Sequence, residues 1–144
     1  MNRRYYCLLI VLFFAVLIQA AAAERTYNIL FIQSYTSQTP WHSDLNQGLV
    51  KGFKESGLKV NITTEYLDAD FWAFNSEKVI MRRFCQRARD RQTDLIITAS
   101  DEAFYTLMHC GDSLPYKLPV VVSGIKYPNE KLMSKLPNVC GYTS

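Results

Sequence analysis

The chain has 144 residues, of which 49% are hydrophobic, and a formal net charge of +3. Two of the basic residues, Arg3 and Arg4, precede an apolar N-terminal run, so residues 24–144 are nearly neutral at +1. A near-neutral chain of this length is typical of one domain and argues against a nucleic-acid-binding protein.

Residues 1–23 have the pattern of a secretory signal peptide. A positive start is followed by an uncharged apolar run over residues 5–18 and by the small residues 21–23, with Glu24 just beyond. Cleavage after Ala23 is the interpretation we favour, and an uncleaved membrane anchor over residues 5–23 is the alternative. Both place the remainder in the periplasm or another extracytoplasmic compartment.

The first predicted strand covers residues 27–32, which are nearly all apolar, as in a central parallel strand. A helix is then predicted to begin at Pro40, with Thr39 as its N-cap. Gly57 is predicted to end it, and Gly48 and Gly52 are expected to allow close packing on a sheet. This helix carries an apolar stripe at every fourth residue: Trp41, Leu45, Leu49 and Phe53.

Strands and helices continue to alternate along the rest of the chain. Strands are predicted over residues 59–67, 94–99, 119–123 and 139–142, with a short helical segment over 131–136. Asn75 or Ser76 is expected to cap a helix that runs to about Arg91, and Ser100 to cap the next. The first of these has its predicted core side at Val79, Ile80, Phe84 and Ala88. This order predicts an α/β fold with a parallel, doubly wound, Rossmann-like sheet and helices on both faces.

Ligands of open parallel sheets bind beyond the carboxyl ends of the strands. Four predicted loops meet there: residues 33–41, 68–74, 100–101 and 123–127. Taken singly, these residues also have local interpretations, such as a cap at Ser100, a core position at Trp41 or a turn at Asp68. Together the loops offer aromatic and hydrogen-bonding side chains that suit a small polar organic ligand: Ser34, Tyr35, Trp41, Asp68, Trp72, Ser100, Asp101, Ser123 and Tyr127.

The sequence lacks the patterns of several enzyme classes. It has no glycine-rich phosphate loop, no nucleophile elbow and no acidic pair after the first strand. No metal site, cofactor or catalytic residue is therefore predicted. After the leader, three cysteines remain, at positions 85, 110 and 140. An oxidising compartment would permit one disulfide, whereas buried free thiols are the interpretation we favour.

Four segments carry a resemblance to a known family: residues 29–35 with Trp41 and Gly48, then 65–68, 94–103 and 119–125. With them the chain resembles the first lobe of substrate-binding-protein-like domains related to ABC transporter binding proteins, of type I periplasmic binding fold. Such domains form the sensor region at the N-terminus of bacterial two-component sensor histidine kinases, including hybrid ones.

The resemblance implies a two-lobed clamp that closes on a small ligand. It assigns ligand contacts to residues of all four loops. The fourth loop departs from the family at Lys126, where a small polar residue is expected. Residues 24–144 would then be an incomplete domain that lacks a second lobe. The chain is expected to be either a fragment of a longer protein that also has membrane and kinase regions, or a truncated gene product. A fragment of a free periplasmic solute-binding protein serving an ABC transporter is the alternative, and an exported enzyme a third. The residues assigned to the ligand are Ser34, Tyr35, Trp41, Asp68, Ser100, Asp101, Ser123 and Gly124.

Overall fold

The computed structural model describes residues 25–36, 38 and 40–143. The predicted leader and Thr39, the expected cap of the first helix, lie outside these residues. Within the described part, none of the helices combines the length and the apolar character needed to cross a membrane.

Strands and helices alternate through the described part of the chain. The strands are β1 (Thr26–Gln33), β2 (Lys59–Tyr66), β3 (Leu95–Ala99), β4 (Val120–Ile125) and β5 (Val139–Thr143). The helices are α1 (Pro40–Ser56), α2 (Phe74–Asp90), α3 (Ser100–His109) and α4 (Glu130–Met133), with a 3-10 turn at Leu114–Tyr116. All the predicted elements are present, with ends shifted by at most three residues.

The five strands form one parallel sheet in the order β2-β1-β3-β4-β5. The central strands β1 and β3 are the most buried, which explains their almost continuous apolar sequence. Because all strands run the same way, their carboxyl ends share one edge of the sheet. The predicted parallel α/β fold is confirmed.

Helices cover both faces of the sheet. Helices α2, α3 and α4 pack on one face, over a core that includes Met81, Phe104 and Leu107. Helix α1 packs on the other face through Leu45, Leu49 and Phe53, which follow the predicted stripe. The sheet is therefore doubly wound, as expected.

Several local predictions are wrong. Helix α2 begins at Phe74 without a side-chain cap, so neither Asn75 nor Ser76 caps it. Its predicted core side is wrong at Val79, which is exposed, and right at Phe84 and Ala88, which are buried; Met81 and Cys85 are buried as well. In α1, an added Cβ at Gly48 or Gly52 would meet no atom within 4 Å, so these glycines are not sites of close packing. Gly57 does end α1, with a φ of +73°.

Candidate functional site

A pocket of about 410 Å³ lies at the carboxyl edge of the sheet. This volume falls within the usual range for small-molecule sites. Five of the eight residues assigned from sequence line it. Tyr35 follows β1, Trp41 is at the start of α1, Ser100 and Asp101 are in the first turn of α3, and Gly124 is near the end of β4. Its lining consists of Tyr35, Trp41, Ser100, Asp101, Glu102, Gly124, Lys126 and Tyr127.

Ser34 lies beneath the pocket rather than in its wall. Its side chain is fully buried, and its Oγ donates to the Ala99 carbonyl at 2.7 Å and accepts from the Ala103 N–H at 2.9 Å. The Ser34 hydroxyl thus accepts a hydrogen bond from a backbone N–H in the first turn of α3, where such groups often lack a partner within the helix. The assignment of Ser34 to ligand contact is therefore corrected: both hydrogen-bonding roles of its hydroxyl are used inside the fold.

Ser100 does not cap α3 as predicted. Ala99 occupies the N-cap position, and Ser100 is the first residue of the helix, with a φ of +73°. The left-handed region is uncommon for residues other than glycine, and such conformations cluster at functional sites. The turn directs the chain from β3 into α3 at the pocket wall.

Asp101 holds the loop after β4 against α3. Its two carboxylate oxygens accept the backbone N–H groups of Lys126 and Tyr127 at 2.9 and 3.0 Å. The Tyr105 hydroxyl donates to the Tyr127 carbonyl at 2.6 Å and fixes the same loop from the next turn of α3. Asp101 therefore shapes the pocket by positioning a loop, and its carboxylate is already engaged by backbone donors.

Gly124 lets α1 approach the end of β4. Its φ is +69°, and a Cβ added there would lie 3.2 Å from two ring atoms of Trp41. A side chain would thus meet both backbone strain and a tight contact. Trp41 is 46% exposed, so its ring covers Gly124 while remaining accessible from the pocket.

Tyr35 and Glu102 form a polar pair in the pocket wall. Burial raises the pKa of Tyr35 to about 12, with further contributions from a hydrogen bond to Glu102 and from the negative charges of Glu102, Asp70 and Asp101. Tyr35 is thus a neutral hydrogen-bond donor at physiological pH. Glu102 was not assigned to the site from sequence, since an acidic residue in the first turn of a helix is already explained by the helix dipole.

Lys126 brings a positive charge to the pocket. Its Nζ lies 5.3 Å from the centroid of the Tyr127 ring, a cation–π arrangement. The Tyr127 side chain is 69% exposed. The pocket thus combines one cation, the carboxylate of Glu102 and three aromatic rings, which together can contact a small molecule with both charged and planar parts.

Besides Ser34, two further assigned residues, Asp68 and Ser123, lie outside the pocket lining. Asp68 has a φ of +53°, and its backbone carbonyl accepts the Phe71 N–H at 2.9 Å, so it closes a turn after β2. Ser123 is a half-buried residue of β4, paired with Tyr142 of β5. Trp72, which the sequence also places at this edge, is exposed and does not line the pocket.

A larger cavity of about 600 Å³ lies at the opposite end of the sheet, between α1 and β2. Its lining includes Val50, Phe53, Leu58 and Val60. It results from the partial cover that α1 gives to the edge of the sheet, and the strand ends that bind ligands in parallel sheets are on the other side. The carboxyl-edge pocket is therefore the better candidate. Within the described residues, no group of three or more histidine, cysteine or acidic side chains could hold a metal ion.

The fold and the pocket define a class: a parallel α/β domain with a ligand-sized site at the carboxyl edge of its sheet. Among solved structures, the chain is similar to the ligand-free, open structure of CD0873, a substrate-binding protein with adhesive properties from Clostridium difficile. The TM-score is 0.56 at 16% sequence identity, over 80% of this chain and 38% of that chain. At this identity the likeness shows the fold alone. No family model and no curated protein matches the chain.

Proposed function

We propose that residues 24–144 are the first lobe of an extracytoplasmic, substrate-binding-protein-like domain of type I periplasmic binding fold that binds a small polar organic ligand. The observation that carries the proposal is the pocket lined by Tyr35, Trp41, Ser100, Asp101 and Gly124 at the carboxyl edge. In parallel sheets this edge is where ligands bind. The role is one of binding rather than catalysis.

The pocket is partly open to solvent. The exposed rings of Trp41 and Tyr127 stand at its rim. Exposed aromatic surface at a pocket is typical of a site that is completed by a ligand and a facing surface. A second lobe would supply that surface, in agreement with the finding that the chain spans 38% of the length of the substrate-binding protein to which it is similar.

The proposed context is the sensor region of a two-component histidine kinase, in which closure of two lobes on the ligand reorients an attached membrane helix. The alternative is a free solute-binding protein that delivers its ligand to an ABC transporter. The coding sequence after Ser144 separates them. A second lobe followed by a membrane span and kinase motifs supports the sensor, and a stop codon after the second lobe supports the transport protein.

The ligand proposal is tested with the full chain and saturation-transfer NMR, using mixtures of amino acids, sugars and small carboxylic acids as probes. We expect weak binding, with a dissociation constant of about 1 mM, because half of a cleft supplies a small part of the binding free energy. The variant Trp41→Ala should abolish the signal. The matched control Trp72→Ala removes an equally exposed tryptophan outside the pocket and should leave it unchanged.

Binding that survives Trp41→Ala, or the absence of binding to any mixture, would overturn the pocket as the ligand site. A micromolar dissociation constant for the chain by itself would contradict the proposal that it supplies only half of the ligand site. Export is tested separately by N-terminal sequencing of the chain produced in a bacterium. A new N-terminus at Glu24 indicates a cleaved signal peptide, an intact N-terminus in the membrane fraction indicates the anchor, and recovery in the cytoplasm contradicts export.

A further inference from the structure

Two cysteines face each other in the core between α2 and the end of α3. Cys85 lies on α2, Cys110 follows the last residue of α3, and both are buried free thiols with at most 1% exposure. The third cysteine, Cys140, lies on β5 and is exposed. The expected burial is therefore confirmed for Cys85 and Cys110 and is wrong for Cys140.

Two contacts on either side of the cysteines fix their juxtaposition. Arg82 donates to the Cys110 carbonyl at 2.9 Å, and Arg89 pairs with Asp112. Arg82, Cys85 and Arg89 are three and four residues apart, so they share one face of α2. The cysteine in the middle of this row is consequently held against the segment that contains Cys110.

The thiols contact each other directly. A hydrogen bond from Cys85 is the largest influence on Cys110 and lowers its pKa to about 7, while the same contact and burial raise the pKa of Cys85. The Cys110 Sγ also lies 3.2 Å from the Leu107 carbonyl oxygen. The two thiols are therefore adjacent in the core, as a disulfide between them requires.

We propose that Cys85 and Cys110 form a disulfide that fastens α2 to the end of α3. The oxidant is a disulfide of the thiol–disulfide exchange class, carried by a protein or a small molecule. The Cys110 thiolate attacks this disulfide and forms a mixed disulfide, and the donor leaves as a thiolate. The Cys85 thiolate then attacks the Cys110 sulfur and releases the second donor thiolate. One S–S bond breaks, one forms, and the two protons of the cysteines pass to the donor sulfurs or to water.

This proposal is independent of the ligand proposal, because it concerns the core and not the pocket. Since both sulfurs are buried, exchange takes place before packing is complete, and the folded disulfide is shielded from reductant. The two cysteines are 25 positions apart, so the bond removes appreciable chain entropy from the unfolded state. It leaves Cys140 as the unpaired thiol of the three.

The experiment uses the full chain carrying Cys7→Ser and Cys140→Ser, so that Cys85 and Cys110 are its only cysteines, unfolded and then refolded in a glutathione redox buffer. We expect proteolysis and mass spectrometry to find a peptide pair linked through Cys85 and Cys110. The oxidised protein should melt about 10 °C higher than the same protein refolded with reductant. It should also resist added reductant until it is unfolded.

The variants Cys85→Ala and Cys110→Ala, each in the background that lacks Cys7 and Cys140, are the controls. Each should have the same melting temperature whether refolded with or without reductant, so any loss from the substitution itself is separated from the effect of the bond. The proposal is overturned if oxidised glutathione leaves both cysteines free or as mixed disulfides. It is also overturned if the linked protein melts below the reduced one.

Discussion

The two faces of the sheet are stabilised very differently. On the face covered by α2, α3 and α4, large side chains such as Phe104, Leu107 and Met81 are completely buried. On the face covered by α1, the apolar residues of the helix, Leu49 and Phe53 among them, are only partly buried. One face of the sheet thus packs against helices through fully buried side chains, and the other through side chains that are only partly buried.

The difference follows from how many helices share each face and from the residues of α1. Two apolar side chains of this region, Val50 and Leu58, are exposed to solvent, and the glycines Gly48 and Gly52 add no side chain to the packing. At its start, however, α1 delivers Trp41 to the pocket. The comparison indicates that the α2–α3 face provides most of the stability, whereas the α1 face contributes part of the binding surface.

A matched pair of phenylalanines tests this comparison most strongly. Phe104→Ala removes a fully buried ring and should lower the free energy of unfolding by about 3–5 kcal/mol. Phe53→Ala removes a partly buried ring on the α1 face and should lower it by about 1–2 kcal/mol. Urea unfolding of the two variants and the parent measures both values. Equal losses would show that the two faces contribute alike.

A substitution at Gly124 tests how closely α1 is fitted to the pocket. Gly124→Ala should lower the free energy of unfolding by about 1–2 kcal/mol and shift the fluorescence of Trp41, because its Cβ combines a positive φ with a close contact. Gly111→Ala is the control, since Gly111 has a φ of +81° and open space around it. Gly111→Ala should lower the free energy of unfolding through backbone strain alone and leave the fluorescence of Trp41 unchanged. The spectra are compared in a Trp72→Phe background, and a shift in both variants would contradict the contact.

Acid pH should weaken the α2–α3 face selectively. The Arg89 guanidinium and the backbone N–H of Leu114 hold the pKa of Asp112 below its usual value. The resulting stabilisation is complete above about pH 4, the pKa of an unfolded aspartate, and is lost as the pH falls through the lower folded value. Asp112→Asn should therefore cost about 1 kcal/mol at pH 7 and less below pH 4.

The control for Asp112 lies on the other face. Glu55 forms an exposed pair with Lys51 within α1, at 3.9 Å, so Glu55→Gln should change the free energy of unfolding by about 0.5 kcal/mol or less at any pH. Chemical unfolding at pH 7, 5 and 3.5 measures the two variants against the parent. A loss for Asp112→Asn that does not shrink at pH 3.5 would contradict the role of this carboxylate.

Much of the fold was predictable because its signals are local. The run of residues 95–99 is apolar except for Thr98, as is typical of a strand buried on both faces. Gly57 follows the last turn of α1 and has a positive φ, as is typical of a residue that ends a helix. The core face of α2 was predicted correctly at Phe84 and Ala88 but not in its first turns. Val79 and Met81 are both apolar and lie two positions apart in the sequence. Which of them faces the core depends on the packing of α2 against the rest of the domain.

The candidate site shows the same limit. From the sequence, the residue types and the common strand edge could be predicted, and these placed Tyr35, Trp41 and Gly124 at one pocket. The use of the Ser34 hydroxyl as a cap for α3, and of the Asp101 carboxylate to hold the loop after β4, depended on partners distant in the chain.

By itself, the amino-acid sequence determined the alternation of strands and helices, and with it the parallel sheet and the edge at which its loops meet. The tertiary structure decided which polar groups of that edge are consumed inside the fold, and that Cys85 meets Cys110. The physical reason is that periodicity and capping depend on neighbours a few residues away. A hydroxyl, carboxylate or thiol is bound by whichever group the packing of distant elements brings within about 3–4 Å.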